Sequence, residues 1–313
     1  MDDAIKQDIA QDEYRIDKAR VRNAFSRAAN SYDAAAVLQK RVREEMLDRL
    51  GLIKITPKAV LDAGCGTGAG SFALQKKFKF AQVTSLDIAF KMLQKTAELK
   101  PFLQKILHKQ QLVCADIESL PIASNSMNLL WSNLALQWCN DLDAAFNEAA
   151  RVLQADGLFI FSTFGPDTLK ELRAATHNGH THVSRFIDMH DIGDALTRAG
   201  FSAPVLDVEH YTLTYDNVKG VMQDLKSIGA RNATAGRSRG LAGKGFLQNL
   251  TQNYEQFRSD GKLPATFEVI YGHAWVNAGK PISMRSAGQD FSPIEFVKRK
   301  WKLPTLSLAP TLV

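Results

Sequence analysis

Apolar residues in the first part of the chain recur at helical spacing. Between Lys18 and Leu50, the residues Leu38, Val42, Met46 and Leu50 fall at four-residue steps with charged residues between them, which predicts helix. The Asn30-Ser31 pair interrupts the pattern, so two helices are expected rather than one. From Pro57 onward short apolar runs alternate with amphipathic stretches, the pattern of an α/β fold whose mainly parallel sheet carries helices on both faces. Strands are predicted at Lys58 to Asp62, Gln82 to Leu86, Gln111 to Cys114, Met127 to Ser132 and Gly157 to Phe161, the last preceded by an Asp156-Gly157 turn. Helices are predicted from Gly68 to Lys79, from Phe90 to His108 with a break at Pro101, and around Leu142 to Leu153. Tyr211 to Tyr215 and Thr266 to Tyr271 read as the last two strands of seven. Helical patterns near Asn217 to Ile228 and Phe246 to Phe257 stand between them. The resulting division is a loose acidic tail over 1–17, N-terminal helices over 18–56, a Rossmann-like core over 57–215, a helical insertion over 216–263, a last core strand within 264–279 and a tail over 280–313. Both helical segments are placed to form a lid.

Between the first strand and its helix runs Val60-Leu-Asp62-Ala-Gly64-Cys-Gly66-Thr-Gly68, with glycine at every second loop position. Glycine permits positive φ and leaves the main chain bare for a ligand. Gly64, Gly66 and Ala69 fit the dinucleotide pattern, which alone is weak. The full string resembles the D-x-G-x-G-x-G signature of class I S-adenosylmethionine-dependent methyltransferases. In that family the acid at Asp62 faces the cofactor's ammonium, whereas a pyrophosphate would be repelled by it. Asp87 ends the second strand, where Rossmann-like folds place the carboxylate that accepts from a ribose diol. The resemblance gives Asp116, just past the third strand, the adenine amino group. Ile88, Ile117 and Asn133 complete the expected cofactor contacts. After the fourth strand comes Ser132-Asn-Leu-Ala-Leu-Gln-Trp-Cys139, without the Asn-Pro-Pro-Tyr of base-amino methyltransferases, which argues against methylation of DNA bases. Trp138 and Trp131 are candidate pocket walls, with core packing the competing reading for Trp131.

Composition narrows the classes. The chain has 313 residues, 45% of them hydrophobic, which is ordinary for a globular protein. It has no apolar run long enough to span a membrane and no apolar segment at its acidic N-terminus, so a cytoplasmic protein is expected. Cys65, Cys114 and Cys139 are too few and too dispersed for a disulfide framework or a zinc cluster. The formal charge of +6 is uneven, since no carboxylate lies between Asp224 and Glu255 while Lys226, Arg231, Arg237, Arg239 and Lys244 do. An acidic partner is the natural inference. An RNA partner is the weakest form of it, because no interleaved aromatic and basic platform is present.

Three further stretches narrow the resemblance. Phe25-Ser-Arg-Ala-Ala-Asn-Ser-Tyr32-Asp33, Ser132-Asn-Leu-Ala-Leu-Gln-Trp-Cys-Asn-Asp141 and Phe161-Ser-Thr-Phe-Gly-Pro-Asp-Thr-Leu-Lys-Glu-Leu-Arg173 look like the malonyl-acyl carrier protein methyl ester synthases of biotin biosynthesis, the BioC family. Tyr271-Gly-His-Ala-Trp275 extends the likeness, which departs from the family at Ala155-Asp156-Gly157 and beyond Lys280. The resemblance implies methylation of the free carboxylate of a malonyl thioester on acyl carrier protein, or of malonyl-coenzyme A, with S-adenosylmethionine becoming S-adenosylhomocysteine. Such an acid is already ionised at neutral pH and needs no general base.

What the step does need is a dry pocket and an anchor for the carboxylate. Tyr32, Arg185 and Arg231 are the anchor candidates. The small acidic carrier is expected to dock at Arg237, Arg239 and Lys244. His177, His180 and His182 lie in a loop without an acidic or cysteine partner nearby, so no metal is expected. Two alternatives remain open: a class I methyltransferase of another small acid or protein, and an assembly factor or hydroxylase that binds S-adenosylmethionine without methylating.

Overall fold

The computed structural model describes residues 15–103, 111–176, 186–228 and 244–277. The chain enters through three helices, α1 (Lys18–Ala28), α2 (Tyr32–Ala35) and α3 (Val37–Leu52), because it re-enters helix at Tyr32 and breaks again at Ala36. Asp17 caps α1 by accepting from the Arg20 amide at 3.1 Å. Leu38, Val42, Met46 and Leu50 form the buried stripe of α3, as their spacing requires.

The sheet has seven strands: β1 (Ala59–Ala63), β2 (Gln82–Asp87), β3 (Gln111–Cys114), β4 (Met127–Asn133), β5 (Leu153–Phe164), β6 (Phe201–Tyr215) and β7 (Leu263–Val276). Their order is β3-β2-β1-β4-β5-β7-β6. All neighbours are parallel except β7, which runs against both β5 and β6. Helices α4 (Ala69–Lys77), α5 (Phe90–Leu99), α6 (Leu142–Val152), α7 (Lys170–Ala175) and α8 (Met189–Arg198) connect the strands. Adjacent strand residues point to opposite faces, so Val60, Trp131 and Ile160 pack into the cluster under α3, while Leu61, Leu130 and Phe159 pack into the one under α6 and α8. Burial on that scale contributes about 1.5–3 kcal/mol per large side chain. The expected Rossmann-like architecture is therefore present.

Three strands outrun the sequence expectation. β5 starts at Leu153 and passes through Asp156, where φ is +59°, so the anticipated turn is a kink within a strand, matched by a register shift opposite Met127 and Leu129. β6 begins ten residues before Tyr211, at Phe201, and absorbs Pro204 at a register shift between Ser202 and Val205. Proline is tolerated there because β6 is an edge strand. β7 spans Leu263–Val276 rather than its central residues alone. Its first residue pairs with the last of β6, Tyr215 with Leu263. Between that pair stand α9 (Val218–Ser227) and α10 (Lys244–Tyr254).

Candidate functional site

β1 delivers its loop to the carboxyl edge of the sheet, where the amides of Gly64 and Cys65 both donate to the Leu86 carbonyl, at 2.8 and 2.9 Å. Gly64, Gly66 and Gly68 all have positive φ, but they are glycine for different reasons. A Cβ on Gly64 would stand 2.3 Å from the Ala135 Cβ, and one on Gly68 would stand 2.5 Å from Thr96. Protein packing, rather than ligand access, excludes side chains at those two positions. Only Gly66 of the three has room, its nearest neighbour being the Tyr32 ring at 3.7 Å. Its amide donates to Asp87 Oδ2 at 2.9 Å.

Asp87 sits at the end of β2 and also accepts from the Ala89 amide, at 2.8 Å through Oδ1. A carboxylate offers about four acceptor positions, so two remain for a diol. Burial raises its pKa to about 6, against the opposing pull of the Ala89 and Gly66 amides. Asp62 lies behind the loop. Its Oδ2 accepts from the Ser71 hydroxyl at 2.6 Å, and Ser85 donates in turn to Ser71 at 2.8 Å. Burial raises the Asp62 pKa to about 7; the Ser71 hydroxyl opposes the rise and the nearby charge of Asp87 adds to it. Asp116 follows β3 and is held by Lys18, whose ammonium lies 3.0 Å from it and 2.7 Å from Glu118. Burial works against the Lys18 charge, but Glu118 and Asp116 hold its pKa above the usual lysine value.

A crevice of about 80 Å³ collects most of the predicted cofactor residues: Gly64, Gly66, Asp87, Ile88, Asp116, Ile117 and Asn133. Asp62 and Gly68 do not line it. Asn133 is already engaged, accepting from Ser162 Oγ at 3.0 Å and donating to the Gln39 carbonyl at 3.2 Å. The N-terminal helices close this edge through Lys18 and through Thr67, whose hydroxyl donates to Asp33 at 2.5 Å. Spacing along the chain gave no sign of Lys18, because its acidic partners lie about a hundred residues away.

A larger cavity of about 470 Å³ adjoins the crevice. Phe25, Tyr32, Leu134 and Trp138 line both. Phe25 packs edge-on against Trp138 with centroids 5.3 Å apart. Trp131, by contrast, is fully buried in the core. Of the three anchor candidates only Tyr32 falls within the described residues, and burial, reinforced by the charge of Asp87, raises its pKa well above the usual phenol value. Its hydroxyl therefore stays protonated. Two groups that the sequence reading passed over also face this region. The side-chain carbonyls of Gln39 and Gln137, both cavity residues, are buried and have no hydrogen-bond partner among the described residues. Arg43, half-buried one turn beyond Gln39, is the cation whose charge opposes the pKa rise of Tyr32 and Asp62. Position on the helix face next to the buried stripe was the available signal for both Gln39 and Arg43.

Arg185, Arg231, Arg237, Arg239, the side chain of Lys244 and the three loop histidines lie outside the described residues. Elsewhere Asp167, His210 and Glu268 bring ligand-type atoms within 4.8 Å of one another. Asp167 there is exposed and already has Lys170 at 3.3 Å. No described helix is long and apolar enough to cross a membrane.

A methyltransferase-domain family matches residues 61–161. Among curated proteins, the malonyl-acyl-carrier protein O-methyltransferase of Methylovorus sp. (strain MP688) is 61% identical over 92% of this chain and 97% of its own length. That of Gallionella capsiferriformans (strain ES-2) is 57% identical over 84% and 92%. Among solved structures, a putative methyltransferase from Bacillus halodurans C-125 aligns with TM-score 0.53 at 18% identity, covering 75% of this chain and 98% of that one. The YcgJ protein from Bacillus subtilis aligns equally well, with TM-score 0.53 at 15% identity over 75% and 100%. The structural likenesses concern the fold alone.

Proposed function

The chain belongs to the malonyl-acyl carrier protein O-methyltransferases, and from that premise we propose that it converts the free carboxylate of a malonyl thioester on acyl carrier protein into a methyl ester, the primer for pimeloyl synthesis in biotin formation. The observation that carries the reading is the shared wall of Phe25, Tyr32, Leu134 and Trp138 between an acid-floored crevice and a mostly apolar cavity. S-adenosylmethionine, when bound, supplies the electrophilic methyl group. In this reading Asp87 receives the ribose hydroxyls with its two remaining acceptor positions. Asp116 accepts from the adenine amino group and shares its charge with Lys18. Asp62, from behind the loop, balances the ammonium of the methionyl part.

The substrate side needs no base, because a carboxylate is already anionic at neutral pH. Phe25, Leu134 and Trp138 keep water from the junction, where an anionic oxygen and a cationic sulfonium lose their charges together and hydration would favour the separated ions. Tyr32, protonated, donates to the carboxylate and orients it. One neutral donor suits the task, since a tighter grip would stabilise the ground state over the transition state. Arg185 and Arg231 remain proposed helpers, as do Arg237, Arg239 and Lys244 for the carrier. Methyl-labelled S-adenosylmethionine should transfer label to malonyl-acyl carrier protein, and mild alkali should release it as methanol. Binding without transfer, or label that resists alkali, would overturn the assignment.

A further inference from the structure

The larger cavity holds more than a malonyl group requires, and its charge is unusual. Among its described lining residues none is a carboxylate, and the ionised ones are Lys219 and Lys226. Both are exposed and belong to α9. Positions seven apart return to nearly the same helix face, about 10 Å along the axis. Met222 and Gln223 lie between them on that face, so Lys219, Met222, Gln223 and Lys226 form a single stripe along the cavity. Neither lysine's ammonium has an ion pair or hydrogen bond among the described residues. Asp224, the carboxylate of α9, is turned away and accepts from the Tyr215 hydroxyl at 2.7 Å. Two ammonium groups thus stand, without a partner among the described residues, at the mouth of a mostly apolar chamber.

We propose that Lys219 and Lys226 receive the phosphate of a phosphopantetheine arm, which then runs inward along the apolar lining toward Tyr32. This rests on the function proposed above and adds the site that reads the arm rather than the acid at its tip. The malonyl carboxylate has to reach the shared wall with the crevice, so cations exposed at the mouth are badly placed for it. They are well placed for a second anion carried on the same substrate. Lysine suits a phosphate as a mobile point charge, without the fixed fork of arginine. The stems of both lysines and the flexible Met222 cover apolar surface and can adapt to the arm's gem-dimethyl group. The arm also carries two amide N–H donors. Gln39 and Gln137 line the same cavity, and their side-chain carbonyls, which have no partner among the described residues, are acceptors of the matching kind.

The test compares malonyl-4′-phosphopantetheine with malonyl-pantetheine, identical but for the phosphate, using wild type, K219Q/K226Q and K219R/K226R. Wild type should prefer the phosphorylated thioester by about tenfold in kcat/KM, through KM rather than kcat. The glutamine pair should bring that ratio near one, and the arginine pair should restore most of it. Calorimetry with 4′-phosphopantetheine alone should show binding to wild type and its loss in the glutamine pair, whether or not methyl transfer occurs. A ratio that survives in K219Q/K226Q, or a wild type indifferent to the phosphate, overturns the site. Transfer to neither thioester, with arm binding intact, overturns the methylation reading and leaves the arm site standing.

Discussion

The crevice and the cavity share four side chains yet are built on opposite principles. The crevice is small and floored by acids at strand ends, with backbone amides and Lys18 tying those acids into the fold. The cavity is about six times larger, mostly apolar, and carries positive charge where it opens. Strand ends are rigid and suit a ligand whose hydroxyl and amino groups never change. Helices packed over the sheet edge suit a substrate that must enter, be dried and leave. The contrast teaches that a polar seat at strand ends and an apolar chamber under helices can stand side by side, joined by one largely aromatic wall.

Removing a crevice acid should separate the two most sharply. Asp87→Ala should weaken S-adenosylhomocysteine binding about a hundredfold by calorimetry, since two charge-assisted hydrogen bonds are lost. Affinity for 4′-phosphopantetheine should stay within about twofold. A comparable loss on both sides would mean that the chambers act as one.

A smaller effect follows from pH. In the free protein burial holds Asp62 protonated up to about 7 and Asp87 up to about 6. An ammonium near Asp62 and hydroxyl donors on Asp87 favour the ionised forms, so the complex binds fewer protons than the free protein and affinity must rise with pH across that window. S-adenosylhomocysteine, which keeps the ammonium, should bind about tenfold more tightly at pH 7.5 than at pH 5.5 and release protons on binding. A flat profile would remove Asp62 and Asp87 from the binding electrostatics. The least effect is expected at the shared wall, where Tyr32→Phe should lower kcat about fivefold by loss of one hydrogen bond and leave S-adenosylhomocysteine affinity alone. Weakened binding with unchanged kcat would assign Tyr32 to the crevice instead.

The sheet was legible in the sequence because its central strands are short apolar runs bounded by turn residues, and β1 with its glycine loop is the clearest of them. β6 was half hidden: an edge strand with one solvated face carries Asp207 and Glu209 and tolerates Pro204, so its apolar signal thins toward Phe201. Asp87 could be placed by its distance from the glycine loop. What spacing could not supply were contacts made across the fold. Gly68 is required by Thr96 on α5, and Asp116 meets Lys18 on α1. Arg43 influences Asp62 through space, and its place beside the buried stripe of α3 marks a helix face without naming the acid it acts on.

The reversed direction of β7 has one more consequence. Because β6 runs parallel to β5, the chain leaves β6 at the same edge where the glycine loop and Asp87 stand, and Tyr215 pairs with Leu263 on its return. The cavity helices are therefore an enlarged hairpin tip, anchored at both feet. Such a tip can be lengthened, shortened or exchanged at little entropic cost and without shifting any ladder beneath it. Evolution, or an engineer, has here a cassette that can be altered while the strand ends beneath it stay as they are.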